Sequence, residues 1–504
     1  MNNPVNIQLN QEQTQVVEQL HEFYNDPKKQ LFQINAPAGT GKTTLIGVFL
    51  EELLNLEDDL KIVVCAYTNK AKKVLQRSSS FSNIINEIHI KTIHQYFGSK
   101  QDYDDDGEVI FKYTYSLWLN NEVVSSHMIN LAIVDEVSMV NEEQYNTFMS
   151  FLKLNPKLKI ITLGDNCQLP PVEKNEKGKF VDKESLFYRH PIDATLNENM
   201  RNDNKELAQC NTELRKCIND KKLDMSIINK IKSLDIVKVV NGYDYMKHFK
   251  REFENKKFIQ FLSFKTKEEK KEEKKSSLKN VGEFNTEIRQ KLFNIKPDDS
   301  LDIRESEQLQ VMKKFKTFEK SDIISVVSSR YDYISLNFLS FLRQHPSDRI
   351  FDNSLLDSFC EKLDEIGNHE MDIRVQILDI GNSIDNIVKV TTDGSSLQEY
   401  KEYMGVLKTY ISSFLVGIRN FESYKNIRYY LWDTYHLYDN SINAPVQPYY
   451  ANSIYMAQGS TYDVCVLNYK DFKWMASPKY NPVKFGKLLY VGLTRSKGIT
   501  YLIL

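Results

Sequence analysis

Over the first 200 residues, short apolar runs alternate with stretches in which apolar positions return every three or four residues. The short runs are Leu31–Asn35, 61–67, 130–136 and 159–165, rich in β-branched residues and bounded by polar turns. Such runs predict buried strands. Between them, 44–54 carries apolar residues at 45, 46, 48, 49, 50, 53 and 54, which predicts a helix. Strands alternating with helices predict an α/β fold with a parallel sheet covered on both faces. The alternation returns at 257–264, then at 463–469 and 498–504. A second α/β domain is therefore expected, interrupted by an insertion over 300–450 whose mixed periodicity assigns no fold.

One segment breaks the pattern. Val109, Phe111, Tyr113, Tyr115 and Leu117 fall at strictly alternate positions, which predicts a strand with one apolar face, and Asp104-Asp-Asp-Gly107 ahead of them is a turn signal. A β-hairpin inserted at 99–125 is predicted. The resulting division is 1–98 with 126–203 as the first domain, and 204–299 with 451–504 as the second. The low-complexity stretch 265–275 reads as a solvated surface insertion.

Composition narrows the class. The chain has 504 residues, 41% hydrophobic and 27% charged, with 18 glycines and 13 prolines. This is globular usage and excludes collagen-like or linker-rich architecture. No run is long enough for a membrane span, and the N-terminus has no secretory pattern. The six cysteines form no C-x-x-C pair and the nine histidines no H-E-x-x-H, so buried thiols in a reducing compartment are expected. Formal net charge is -2, yet residues 451–504 hold Lys470, Lys473, Lys479, Lys484, Lys487, Arg495 and Lys497 against only Asp463 and Asp471. A neutral total can hide a basic groove.

The chemistry begins at Ala36-Pro-Ala-Gly-Thr-Gly-Lys-Thr43, after a strand and opening a helix. It reads as a phosphate-binding loop, in which Ala38, Gly39, Thr40, Gly41 and Thr44 bring backbone N–H groups to a nucleotide. Lys42 would reach the β/γ-phosphates, and the Thr43 hydroxyl would ligate Mg²⁺. Leu131-Ala-Ile-Val-Asp-Glu136 ends a predicted strand in two acids, with Asp135 as a second Mg²⁺ partner and Glu136 as the base that activates water. Gly164-Asp-Asn-Cys-Gln-Leu-Pro-Pro-Val172 follows the next strand and offers Gln168 as a γ-phosphate sensor.

With these three elements on one sheet edge, the sequence resembles superfamily 1 helicases, and within them the RecD/Dda-like 5′-to-3′ group (superfamily 1B). The resemblance implies two RecA-like P-loop NTPase domains with inserted accessory domains. It identifies Gln13 in Leu9–Gln13 as the adenine reader. It assigns Thr68, Asn69 and Lys70 in Tyr67-Thr-Asn-Lys-Ala71, and Thr92 and His94 in Lys91-Thr-Ile-His94, to single-strand contacts. Leu196-Asn-Glu-Asn-Met-Arg201 and Tyr490-Val-Gly-Leu-Thr-Arg495 supply the γ-phosphate arginines Arg201 and Arg495. Ser453-Ile-Tyr-Met-Ala-Gln-Gly-Ser460 supplies Gly459 toward the nucleotide and Tyr455 and Gln458 toward DNA. Tyr424-Lys-Asn and Leu431-Trp-Asp extend the likeness to the smaller phage members. Where the family carries His-Lys, this chain has Tyr455-Met456, so a basic phosphate contact gives way to an aromatic that can stack on a base. Family members use the inserted hairpin as a strand-separating pin, which points to Phe111, Tyr113 and Tyr115.

The expected activity is that of an ATP-dependent DNA helicase translocating 5′ to 3′ on single-stranded DNA. ATP and Mg²⁺ are the cofactors. Single-stranded DNA, duplex forks and unidentified replication or recombination proteins are the partners. An RNA or RNA–DNA helicase, or a non-catalytic ATP-binding clamp, are the alternatives. A cytoplasmic or nucleoid-associated location is expected, and the Asn-, Lys- and Ile-rich usage fits a phage or viral genome.

Overall fold

The computed structural model describes residues 8–504 apart from 58, 120–121, 175–179, 201–203, 243, 265–279, 296–301, 321, 348–352, 366–370, 382–386 and 392–393. The low-complexity stretch lies outside the described residues. The chain divides into two compact units. One holds Met1–Ser99, Tyr113–Ile288 and Tyr450–Leu504; the other holds Lys100–Lys112 and Arg289–Tyr449.

The first unit contains two parallel sheets. In one the strands run in the order Ala194–Thr195, Leu31–Asn35, Lys159–Gly164, Leu131–Val134, Ile62–Ala66, Ile88–Thr92. Ile62 and Val64 face a core with Leu20, Phe49 and Leu50, while Val63 and Cys65 face Phe97, Phe148 and Phe187. Burial on both faces explains the uninterrupted apolar runs. The other sheet orders Val237–Val240, Thr500–Ile503, Val464–Leu467, Ile259–Ser263, Ala451–Ser453, again all parallel. The α/β expectation of two parallel sheets is met.

In the second unit, Ser328–Leu336, Met371–Asp379 and Ile387–Val390 form an antiparallel sheet. Helices Gly394–Gly417 and Tyr424–Ile442 share its core through Tyr400, Met404, Leu431 and Trp432. A smaller antiparallel sheet joins Ile323–Ser325, Gln308–Val311 and Val446–Pro448. At the start of this unit Arg289 and Glu307 form a bidentate ion pair, at 2.6 and 2.8 Å, with both side chains buried.

The strand expected to run unbroken over 109–117 divides in two. Val109–Tyr113 pairs with Ser99–Tyr103, while Ser116–Leu119 pairs with Glu122–Ser125. Between them Tyr115 takes φ +53°. Its N–H donates to Phe97 O and its carbonyl accepts from Ser126 N. The backbone is turned there by hydrogen bonds to the first sheet's surroundings, which period-two alternation cannot register. The outer hairpin, 100–112, belongs to the second unit. Tyr103 is buried in that unit's core and donates to Asp433 Oδ1 at 2.7 Å. Arg428 faces Asp102 and Asp105, Arg419 pairs with Asp105, and Lys408 pairs with Glu108 at 2.9 Å. Gly107 (φ +77°) lies flat on the Trp432 indole; a Cβ there would stand 2.5 Å from Cε3.

No helix among the described residues is long and apolar enough to cross a membrane. Cys65, Cys167, Cys210 and Cys465 are buried as free thiols.

Candidate nucleotide and nucleic-acid site

The phosphate loop connects Leu31–Asn35 to the helix Lys42–Leu54, so that helix opens with its N–H groups toward the loop. Gly39 (φ +89°) and Gly41 (φ +79°) take the left-handed backbone that curls it. At Gly41 a Cβ would also meet Gln13 Nε2 at 2.3 Å. Gln13 is buried. Its Oε1 accepts from Asn10 N in the capping box of helix Gln11–Asn25, and its Nε2 donates to Thr40 O at 3.0 Å. The residue assigned to adenine thus holds the loop from behind and does not line the cavity described next.

That cavity has a volume of about 430 Å³ and is lined by loop residues including Ala38, Gly39, Gly41, Lys42, Thr43 and Thr44, by Asp135 and Glu136, and by Gly459 and Arg495. The first sheet supplies the loop and the acid pair; Gly459 and Arg495 follow elements of the second. Lys42 Nζ donates to Ala36 O at 3.1 Å, so its ammonium is turned into the loop. Asp135 is half-buried, and its desolvation, with the charge of Glu136, raises its carboxyl pKa against the opposing pull of Lys42. Glu136 has φ +53°, and its Oε2 is buried with no hydrogen-bond partner among the described residues. Backbone strain and an unsatisfied acceptor thus coincide at this residue. Arg495 is buried on Val491 O and Ser460 O, each at 3.2 Å, and on Thr494 Oγ1. Arg201 lies outside the described residues, although Met200 before it lines the cavity and donates its N–H to Gly39 O at 2.7 Å.

Gln168 stands beside the cavity rather than on it. Its Oε1 accepts from Gln458 Nε2 at 3.4 Å, its own Nε2 is unsatisfied, and Gln458 also donates to Leu169 O at 3.0 Å. The γ-sensor candidate and a DNA-motif residue of the other sheet therefore touch. Three residues earlier, Asp165 is fully buried and accepts from Tyr490 OH at 2.6 Å and Arg215 Nη2 at 3.2 Å. Sequence reasoning missed this joint, because Arg215 and Tyr490 carry no local signal beside it. It also missed Ser78, Ser79 and Ser80, which line the cavity.

The remaining nucleic-acid candidates sit at helix starts. Thr68 Oγ1 accepts from Ala71 N and caps Asn69–Gln76, while Thr92 Oγ1 accepts from Gln95 N and caps Ile93–Tyr96. Each cap is worth about 1 kcal/mol. Lys70 lies 5.2 Å over the Tyr462 ring. His94 stacks on Tyr113 and shares a hydrogen bond with its hydroxyl at 2.8 Å. Tyr115 packs edge-on against Phe151, so of the three pin candidates Phe111 is the one on the outer hairpin, 59% exposed. Tyr455 donates to Asp182 at 2.9 Å, and its ring lies 5.8 Å from that of Phe264.

Among known families, a model described as an AAA domain matches residues 8–231. An uncharacterized protein of Acanthamoeba polyphaga mimivirus is 26% identical, covering 97% of this chain and 98% of its own. The ATP-dependent DNA helicase dda of Enterobacteria phage T4 is 32% identical over 32% of this chain and 32% of its own length. A crystal structure of Bacteroides sp Pif1 in complex with ADP-AlF4 covers 98% of this chain and 92% of that one, at 15% identity and a TM-score of 0.42. Two parallel sheets thus contribute to one phosphate-binding cavity, in a chain whose residues 8–231 match an AAA domain and which is similar over about a third of its length to the dda helicase.

Proposed function

We propose that the protein is an ATP-dependent DNA helicase that moves along single-stranded DNA in the 5′-to-3′ direction. One observation carries the reading: Lys42, Thr43, Asp135 and Glu136 of one sheet share a cavity with Gly459 and Arg495 of the other. A nucleotide held there touches both sheets, so its binding and hydrolysis bias how they close on one another.

Each residue then has a role. Lys42 exchanges the Ala36 carbonyl for phosphate oxygens. Thr43 and Asp135 fit a Mg²⁺ ion, an oxygen pair lining the same cavity as the buried, unsatisfied Glu136. When bound, that ion neutralises charge on the β- and γ-phosphates. Glu136, with a free Oε2, takes the proton of the attacking water. Arg495 stabilises charge on the transferring phosphoryl, an effect worth ~10³–10⁵ in rate. Gln168 passes the state of the γ-phosphate to Gln458, one residue before Gly459. Thr68, Asn69, Lys70, Thr92, His94 and Tyr455 are read as the single-strand track, and Phe111 as the exposed face of the pin.

The test is ATP hydrolysis with and without single-stranded DNA, repeated with RNA. Strong stimulation by DNA, with binding that weakens as salt rises, is expected. Stimulation by RNA alone would replace this reading with an RNA helicase, and no stimulation by either would favour a different P-loop enzyme.

A further inference from the structure

Beside the helix Tyr469–Met475, in the part of the second sheet's domain remote from the nucleotide cavity in its lining residues, lies an open groove of about 540 Å³. Lys221, Lys222, Lys473 and Lys479 line it, with Met225 and Pro482. All four lysines are exposed, and none forms an ion pair among the described residues. Two carboxylates lie close in sequence: Asp220, the C-cap of helix Lys205–Asn219, and Asp224, which caps helix Met225–Ser233 through Ser226 N at 2.8 Å and has its pKa lowered by that bond and, in smaller part, by Lys222. The charges are close enough to feel one another: Lys232, stacked 4.6 Å over Tyr469, has its pKa lowered by burial and then by Lys473. Flat apolar faces flank the lysines, with Trp474 54% and Tyr480 81% exposed. Lysines that outnumber the nearby carboxylates Asp220 and Asp224, beside exposed aromatics, suit a strand of phosphates and unpaired bases.

One helix links the groove's rim to the surroundings of a residue of the proposed track. Pro482 opens the helix Pro482–Leu493, and two residues on, Lys484 lies 4.9 Å over the Phe264 ring and pairs with Asp182 at 2.8 Å. Phe264 and Asp182 are the residues that hold Tyr455. We propose that the lysine groove is a second single-stranded nucleic-acid site, which extends the path beyond Tyr455 and binds phosphates through Lys221, Lys222, Lys473 and Lys479 while bases stack on Trp474 and Tyr480. The inference rests on the reading of the chain as a nucleic-acid motor.

The experiment compares the full chain with a K221Q/K222Q/K473Q/K479Q variant, using labelled oligo-dT of increasing length at several salt concentrations. For the longest oligonucleotides, affinity should fall about tenfold or more, with a salt slope shallower by ~0.7 for each lysine–phosphate pairing removed. The shortest oligonucleotides should bind as before, and ATP hydrolysis without DNA should be unchanged. In the parent, long oligonucleotides should quench Trp474 emission, and W474F should lose that quench while keeping its thermal midpoint. Equal affinity and slope in the two proteins at every length would overturn the groove alone. So would a loss of the same size at every length, since the lysines would then belong to the motif track itself. A parent that binds no single strand would overturn both this inference and the motor.

Discussion

Glu136 has a burial, a backbone strain and an unused oxygen that no surface acid pair would show. Replacing it with Gln keeps the shape and removes only the proton acceptor. Hydrolysis should fall by ~10²–10⁴ while nucleotide binding persists, as read by turnover beside a fluorescent-nucleotide titration. Hydrolysis near the parent rate would mean another base. Gly41→Ala should fail differently, because its Cβ meets Gln13 Nε2 at 2.3 Å in a left-handed backbone. Both nucleotide affinity and thermal midpoint should drop, and a partial recovery of affinity in G41A/Q13A would identify the Gln13 contact as the cause. The loop and the acid pair were legible in the sequence because their chemistry needs adjacent residues. Asp165 with Arg215 and Tyr490 was not, since its partners lie 50 and 325 positions away.

Among the elements, strands buried on both faces were the readable ones. Ile88–Thr92 and Val237–Val240 are edge strands with partly exposed positions, and Ala194–Thr195 has two residues; none stands out as an apolar run. The insertion was opaque because Ser328–Leu336 is largely exposed, and its partner Met371–Asp379 lies some way along the chain. The hairpin 100–112 tests what holds that unit together. Asp102 has its carboxyl pKa lowered: burial alone would raise it, but Lys112, the Tyr103 N–H and Arg428 outweigh that. Asp105 is lowered chiefly by Tyr424, and Glu108 by Lys408. Folded values below the unfolded ones mean the stabilisation is complete at neutral pH and is lost as pH falls through the depressed values, below ~4. Amide exchange over 100–112 should accelerate there ahead of the second unit's core strands; uniform protection would contradict the docking. Arg289→Met should leave Glu307 buried and unpaired, costing about 3–5 kcal/mol in denaturant unfolding of that unit.

At the scale of the whole molecule, two parallel sheets were visible in the recurrence of strand-helix alternation, although nothing in it tied the hairpin 100–112 to the segment Arg289–Tyr449. The motor residues and the outer hairpin fall in different units, so they should separate experimentally. Replacing 101–111 by a short Gly-Ser turn should sharply reduce unwinding of a forked duplex while DNA-stimulated hydrolysis continues. Equal loss of both in a folded variant would make the hairpin structural only. The hairpin's attachment also sets an order of events during synthesis. Strands of the first sheet all lie between residues 31 and 195 and can pair as soon as that stretch has emerged. The tip around Gly107 must wait for Trp432 and His436, with which it makes contact. At ~5–20 residues per second that delay is roughly 15–65 s. Throughout it, a nascent chain carries a finished phosphate loop beside an undocked pair of strands, the interval in which a chaperone or a protease would find this protein most open.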